Sequence, residues 1–326
     1  MTILGRTHAA TAVCAAVIMT VGATLSACGS ARAAPPPKPV PTPVPTSAAK
    51  LQLPIGTYEL TEPENAEEDY VSQKMLQACM QQFGFKGFLA GLSGKSVTDE
   101  VRMFQEFDSR RYGVSDPVAA RDYGYHLPPW AGGSNVPKPK IPAAELTVLT
   151  GAAPDQPGRQ AAGPSAVGAA DNYDGKQIPS GGCQERAIQG LEATGVGQQA
   201  TGRSGLAAQI RSESYHRTLT DHRVLAAFGQ WSACMRAHGY DYSAPLQAAT
   251  DSRWNFNAPP ARTEIQTATT DVACKLKTNV LGITFAVESD YENDSIGQNA
   301  QQLAEVKAET DFQGRTIQRL AAAYGI

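Results

Sequence analysis

One eight-residue pattern occurs twice in this chain and limits what the chain can fold into. Residues 78–85 and 233–240 both read A-C-M-x-x-x-G-aromatic. Each copy ends a segment with apolar residues at helical spacing, and its glycine stands where helices commonly end in a left-handed residue. A further cysteine follows each copy, at Cys183 and Cys274. The repeat therefore predicts two related helical modules, each tied by a disulfide to a later helix.

The pairing that follows from the repeat is Cys79 with Cys183 and Cys234 with Cys274. Of the six cysteines, Cys14 lies in a predicted signal peptide and Cys28 is predicted to carry lipid, so four remain. Spacing alone leaves the crossed connectivities open, because four cysteines allow three arrangements. An even number of cysteines in an exported chain favours disulfides over free thiols. No C-x-x-C motif occurs, which argues against thioredoxin-like redox chemistry and Cys-rich zinc sites.

The N-terminal residues have the layout of an export signal. Arg6 precedes an apolar run from Ala9 to about Ala23, which is shorter than the roughly 20 residues that a membrane span requires. The run closes on Leu25, Ser26, Ala27 and Cys28, which resemble the lipobox of bacterial lipoproteins. That resemblance implies cleavage before Cys28 and attachment of lipid to its thiol.

Two locations are compatible with this signal. We expect the protein to lie on the extracytoplasmic face of the cell membrane, because two or more acyl chains on Cys28 give a stable anchor. The alternative is a secreted protein cut after the A-x-A-like site at residues 31–33, which would remove Cys28.

Composition along the chain suggests three parts. Proline-rich residues after the signal favour extended polyproline II and predict a tether, and a segment rich in Pro, Gly and Ala predicts a flexible insertion. The predicted bounds are 1–27 for the signal peptide, 28–57 for the lipidated cysteine and tether, and 58–326 for a helical domain. Within that domain, the two halves are predicted at about 58–200 and 201–326, and the insertion at about 128–180.

Helical periodicity dominates after the tether, and no convincing set of alternating strands appears. Asn65 is predicted to cap a first helix that runs to about Phe83. A long pattern from about Leu281 to Tyr324 predicts a long C-terminal helix. The predicted fold is mostly α, a disulfide-stapled helical bundle.

The C-terminal pattern carries acidic residues with few bases between them. We expect them to form a solvated helix face, and the alternative is a face that a partner recognises. They are Glu288, Asp290, Glu292, Asp294, Glu305 and Glu309.

The sequence assigns no catalytic residue, metal ligand or cofactor, since it has no H-E-x-x-H, G-x-S-x-G or Walker A motif. A formal net charge of −3 argues against a nucleic-acid partner. The best candidate recognition surface consists of Tyr123, Tyr125, His126 and Trp130, because exposed Tyr and Trp make good anchors for partners or glycans. The alternative is that these rings cover the core.

Several motifs resemble those of lipoproteins and secreted proteins of unknown function that are common in actinobacteria such as streptomycetes. They include residues 230–240, 271–275 and 286–291 in the second half, and 111–113, 123–126 and 181–183 in the first. The resemblance implies an extracytoplasmic, anchored, helical protein and brings no catalytic residues with it.

The predicted function is a membrane-anchored, non-enzymatic binding or accessory module of the cell envelope. Its expected partners are the membrane, through the lipid on Cys28, and an envelope protein or cell-wall component. The alternative is a cell-wall hydrolase that uses paired carboxylates, which requires two converging acids, one of them with a raised pKa.

Overall fold

Helices dominate the structure, a computed structural model that describes residues 39–132, 140–152, 171–197 and 204–326. Within these ranges the only strands form one short antiparallel hairpin, β1 (Asn172–Tyr173) and β2 (Lys176–Gln177). The predicted mostly α class is therefore confirmed. The helices are α1 (Glu62–Gln82), α2 (Gly94–Ser109), α3 (Pro117–Tyr123), α4 (Ala143–Thr150), α5 (Gly182–Glu192), α6 (Ser204–Thr220), α7 (His222–Ala237), α8 (Pro245–Ala249), α9 (Arg262–Thr278), α10 (Val280–Gln298) and α11 (Ala300–Ala323).

The first helix begins earlier than predicted. Thr61, not Asn65, is its N-cap, and Thr61 and Glu64 form a reciprocal capping box in which Thr61 N donates to Glu64 Oε2 at 2.9 Å. The Asn65 side chain instead donates to Leu60 O. The T-x-x-E signature at residues 61–64 marks this start, and the proline inside it is well tolerated in the first turn.

The two copies of the repeated pattern end their helices in the same way. Gly84 and Gly239 both adopt positive φ, at 93° and 86°. The following aromatic residue donates its N–H back into the helix, from Phe85 to Met80 O at 3.2 Å and from Tyr240 to Met235 O at 3.0 Å. This is the hydrogen-bond pattern of a Schellman motif, which satisfies carbonyls left free at the helix end.

Both disulfides join the predicted partners. Cys79–Cys183 connects α1 to α5, and Cys234–Cys274 connects α7 to α9. The first lies in a cluster with Met80 and Val148, and the second lies beside the fully buried Trp231. Each bridge therefore closes a module around its own apolar cluster.

The predicted halves are packed into one compact unit. Helix α10 packs against α6 and α7, and α1 packs against α11. The long C-terminal pattern is divided at Asn299, which separates α10 from the 24-residue α11.

Residues 39–57 belong to the predicted tether. These residues, which we call the strap together with Tyr58, lie against the bundle and are held by side chains of α10 and of Asn279, the residue that precedes it. Val40 N donates to Asp290 at 2.7 Å, Pro43 O accepts from Asn279 at 2.9 Å, and Ile55 N donates to Glu292 at 2.9 Å. Extended, proline-rich backbone leaves its carbonyls and remaining N–H groups free, and in the strap these side chains bind two of the N–H groups and one of the carbonyls.

The predicted insertion is likewise ordered where it is described. Helix α4 packs against α5, and its Val148 is fully buried in the cluster around Cys79–Cys183. The β1–β2 hairpin leads into α5, and Phe85 contacts Tyr173 with a ring separation of 5.3 Å. The remaining parts of the insertion, 133–139 and 153–170, lie outside the described residues, as do residues 1–38 with the predicted signal peptide.

None of the helices in the described ranges has both the length and the apolar character needed to span a membrane.

Candidate ligand-binding groove

The predicted recognition segment divides into a buried and an exposed part. Tyr125 and His126 are buried, Tyr123 is half-buried, and Trp130 is 39% exposed. Tyr125 and His126 therefore cover the core, as the alternative interpretation of this segment expected, whereas Trp130 does not.

The buried part is fixed by a carboxylate of α9. Glu264 accepts from Tyr125 N at 3.0 Å through Oε1, and its Oε2 lies 3.3 Å from His126 Nε2. Gly124 permits this approach, because it adopts φ +62° and a Cβ there would lie 2.7 Å from Glu264 Oε1. Tyr125 also stacks on Trp254. These contacts make Tyr125 and His126 structural residues behind the exposed surface.

Trp130 and Tyr123 line a groove that is open to solvent and has a volume of about 410 Å³. Its walls are α2, α3, the strap at Ser47 and Ala49, and the turn at residues 128–130. The volume falls in the range of roughly 300–1,000 Å³ that is usual for small-molecule sites.

The α2 wall is polar and partly fixed by ion pairs. The Arg102 guanidinium lies 3.7 Å from the centroid of the Trp130 ring, a cation–π contact that holds the ring in place. Glu106 accepts from Arg110 Nε at 2.6 Å, and both side chains are mostly buried. Gln105 and Ser109 complete this wall.

The α3 wall has its carboxylates engaged as well. Asp116 caps α3, and its Oδ1 accepts from Val118 N at 2.6 Å and Ala119 N at 2.9 Å. Asp122 pairs with Arg121 at 2.8 Å, and the hydrogen bond from this arginine lowers the pKa of the carboxyl. Val118 is 53% exposed and is the main aliphatic side chain of this wall.

The strap forms the third wall. Ala48 is buried, and its N–H donates to Ser115 Oγ at 3.0 Å, which places Ser47 and Ala49 along the groove. The groove thus depends on how the strap is docked.

The carboxylates of the predicted acidic face lie elsewhere, and the prediction that they are solvated is wrong for the two central ones. Glu288 and Glu292 are fully buried. Glu288 is bound by Arg111, and Tyr112 Oη donates to its Oε2 at 2.7 Å. The approach of α6, the strap and residues 111–112 after α2 buries these two carboxylates. The local pattern of α10 contains no sign of those neighbours.

Burial gives Glu292 an unusual titration. Its Oε2 accepts from Ile55 N, whereas its buried Oε1 has no hydrogen-bond partner among the described residues. Burial raises the pKa of Glu292 from 4.5 to about 7. The charge of Glu288 also raises this pKa, whereas the hydrogen bond from Ile55 N lowers it. A proton on Glu292 leaves one negative charge, that of Glu288, for the adjacent Arg111.

A second pair of acids lies between α1 and α2. Burial and a hydrogen bond with Asp69 raise the pKa of Glu100 from 4.5 to about 7. The two carboxyl groups are joined by this hydrogen bond. Glycoside hydrolases instead separate their carboxyl groups by roughly 5–9.5 Å.

Among the residues that the structure describes, one group of three side chains has the spacing of metal ligands. It consists of Cys234, His238 and Cys274. The two sulfur atoms are joined in a disulfide, so they offer no thiolate to a metal.

Several predicted site residues cannot be placed. Leu25, Ser26, Ala27 and Cys28 lie outside the described residues. Of the groove residues, the sequence pointed to Tyr123 and Trp130 and missed Arg102, Gln105 and Ser47. No local signal identifies these three, because α2 and the strap meet α3 only in the folded chain.

Comparisons of the chain with protein-family models, curated proteins and solved structures give no match.

Proposed function

We propose that the mature protein is an extracytoplasmic lipoprotein, anchored through lipid on Cys28, and that it is a non-enzymatic module that binds a cell-wall component in the groove. The single observation that supports this function most is the exposed Trp130 ring, held by Arg102 in a groove of small-molecule size. The lipobox-like residues support the location. The disulfides agree with an oxidising compartment.

The chemistry of the groove favours binding over catalysis. Glu106 and Asp122 each pair with an arginine, and Asp116 is engaged by backbone amides. A general acid requires a raised pKa, whereas the hydrogen bond from Arg121 lowers the pKa of Asp122. The described residues that line the groove include no histidine or cysteine that could serve as a base or nucleophile.

The hydrolase alternative retains one supporting observation, the raised pKa of Glu100 beside Asp69. These carboxyls are too close for the glycosidase geometry, and neither lines the groove. Release of soluble fragments from cell walls by the purified protein would establish this alternative instead.

The test is sedimentation of the purified protein with isolated, insoluble cell walls. We expect the wild type to sediment with the walls and Trp130→Ala to remain largely in solution. Phe107→Ala is the matched control, because Phe107 is 47% exposed on α2 but does not line the groove. Equal sedimentation of both variants would contradict the proposed site.

The location is tested separately by fractionating cells. We expect the wild type in the membrane fraction and Cys28→Ala outside it. Recovery of the wild type in the medium, cut after residue 33, would establish the secreted alternative.

A further inference from the structure

We propose that the groove binds a neutral oligosaccharide, with one sugar ring stacked on the free face of Trp130. This inference rests on the proposed function, since it names the ligand class of the same groove.

The aromatic residues provide the stacking surface. Arg102 covers one face of the Trp130 ring at 3.7 Å, and the ring is still 39% exposed. The sugar ring therefore stacks on the face opposite Arg102. A pyranose ring has a flat face of C–H groups, and a flat aromatic surface with a polar rim complements it. Tyr123 provides a second, half-buried ring in the same groove.

The polar lining suits hydroxyl groups. Sugar hydroxyls both donate and accept hydrogen bonds, so they require a mixture of donors and acceptors. The amide of Gln105 supplies both, the carboxylates of Glu106 and Asp122 accept, and the hydroxyls of Ser47 and Ser109 do either.

The charges favour a neutral ligand over an anionic one. Among the described residues of the lining, the carboxylates are those of Glu106, Asp116 and Asp122 and the guanidinium is that of Arg102. With the adjacent Arg110 and Arg121 these charges balance, so a phosphate group would gain no net attraction. They also favour a neutral ligand over a cationic one, because Glu106 and Asp122 are already compensated by Arg110 and Arg121.

The backbone argues against a peptide ligand. Two walls are the helices α2 and α3, whose backbone groups are mostly hydrogen-bonded within the helix, and no strand of the described hairpin lines the groove. An extended peptide therefore lacks the exposed strand edge that it pairs with in β-augmentation. A helical peptide needs a continuous apolar strip, whereas polar side chains separate Val118, Tyr123 and Trp130.

The test is calorimetric titration of the full mature chain in detergent with four neutral tetrasaccharides: chitotetraose, cellotetraose, maltotetraose and mannotetraose. We expect at least one to bind with Kd below about 1 mM. Trp130→Ala should weaken that binding at least about tenfold, and Gln105→Ala about three- to tenfold. Gln105 is an exposed residue of α2, so its variant keeps the test valid if Trp130→Ala misfolds. The control Phe107→Ala should leave Kd unchanged.

Salt separates the ligand classes. Raising ionic strength from about 50 to about 500 mM should change the Kd of the sugar less than about twofold, because a neutral ligand is not screened. Tight, salt-sensitive binding of tetralysine or of inorganic phosphate, with no sugar bound, would overturn the inference. If no sugar binds while wall binding still depends on Trp130, the inference fails and the proposed function stands. If wall binding itself is absent, the proposed function fails.

Discussion

The free energy of unfolding of the wild type should fall as pH rises, and replacing Glu292 by Gln should prevent most of that fall. Glu292 lies on α10, is fully buried, and accepts a hydrogen bond from Ile55 N of the strap. Glutamine has nearly the same shape and retains a carbonyl oxygen to accept that bond. It cannot ionise, so the substitution isolates the cost of a buried charge.

The magnitude follows from the shift in pKa. The pKa of Glu292 is raised from 4.5 to about 7, and each unit corresponds to about 1.4 kcal/mol. Between these two values the folded protein retains a proton that the unfolded chain has lost, so stability falls as pH rises. Relative to its value at low pH, the free energy of unfolding should fall by about 3 kcal/mol once Glu292 is ionised.

The assay is urea unfolding of wild type and Glu292→Gln, followed by tryptophan fluorescence, at steps from about pH 4.5 to about pH 8. The difference in unfolding free energy, variant minus wild type, should increase by about 3 kcal/mol over this range. Glu100 titrates in both proteins and cancels in the difference.

The matched control is Glu213→Gln, at an exposed glutamate of α6, whose difference from wild type should change by less than about 0.5 kcal/mol. Parallel pH profiles for wild type and Glu292→Gln would refute the reasoning, because they would mean that Glu292 is ionised throughout without cost.

Three further predictions concern the strap, a disulfide and a glycine. A Cβ at Gly282 would collide with Pro43 O, so Gly282→Ala should release the strap and speed its cleavage in limited proteolysis. The control is Gly297→Ala on the same helix, which has open space for a Cβ and should not change the cleavage rate. Equal cleavage rates for the two variants would contradict the docking of the strap. Replacing Cys234 and Cys274 together by Ala should lower the unfolding free energy by about 2–4 kcal/mol in urea; an unchanged midpoint under non-reducing conditions would show that the bridge is not formed. Gly124→Ala, at φ +62° and facing Glu264 Oε1, should cost about 1–3 kcal/mol, and a Tm equal to that of wild type would rule out the close approach.

The features that the sequence predicts well are local or repeated. Gly84 and Gly239 end their helices in the same left-handed conformation, because the short pattern around each glycine contains the whole helix-ending signal. The repeat also favoured the correct disulfides, since a module that recurs imposes the same pairing on each copy.

The features that it missed depend on distant contacts. Glu288 and Glu292 look like solvated acids within α10, yet Arg111 and the strap cover them in the folded chain. The prolines of residues 39–45 predict extended backbone, which is compatible with both a free tether and a docked strap. Only partners elsewhere in the chain, such as Asn279 before α10 and Asp290 within it, decide between the two.

The groove shows the same limit. Tyr123 and Trp130 stood out as aromatic residues in an irregular segment, but so did Tyr125 and His126, which are buried. Glu264, the residue that fixes the buried pair, lies on a helix far along the chain. Sequence composition therefore located the surface without distinguishing its exposed rings from its structural ones.

Acrylamide quenching of tryptophan fluorescence tests the central claim, that the groove is the binding site, most directly. Of the three tryptophans, Trp130 is 39% exposed, whereas Trp254 is 8% and Trp231 is 0% exposed. The quenchable fluorescence should therefore come almost entirely from Trp130, and Trp130→Phe should abolish it. Saturating soluble wall glycan should protect this fraction in the wild type. Glycan binding that leaves the quenching of Trp130 unchanged would place the ligand elsewhere and contradict the account.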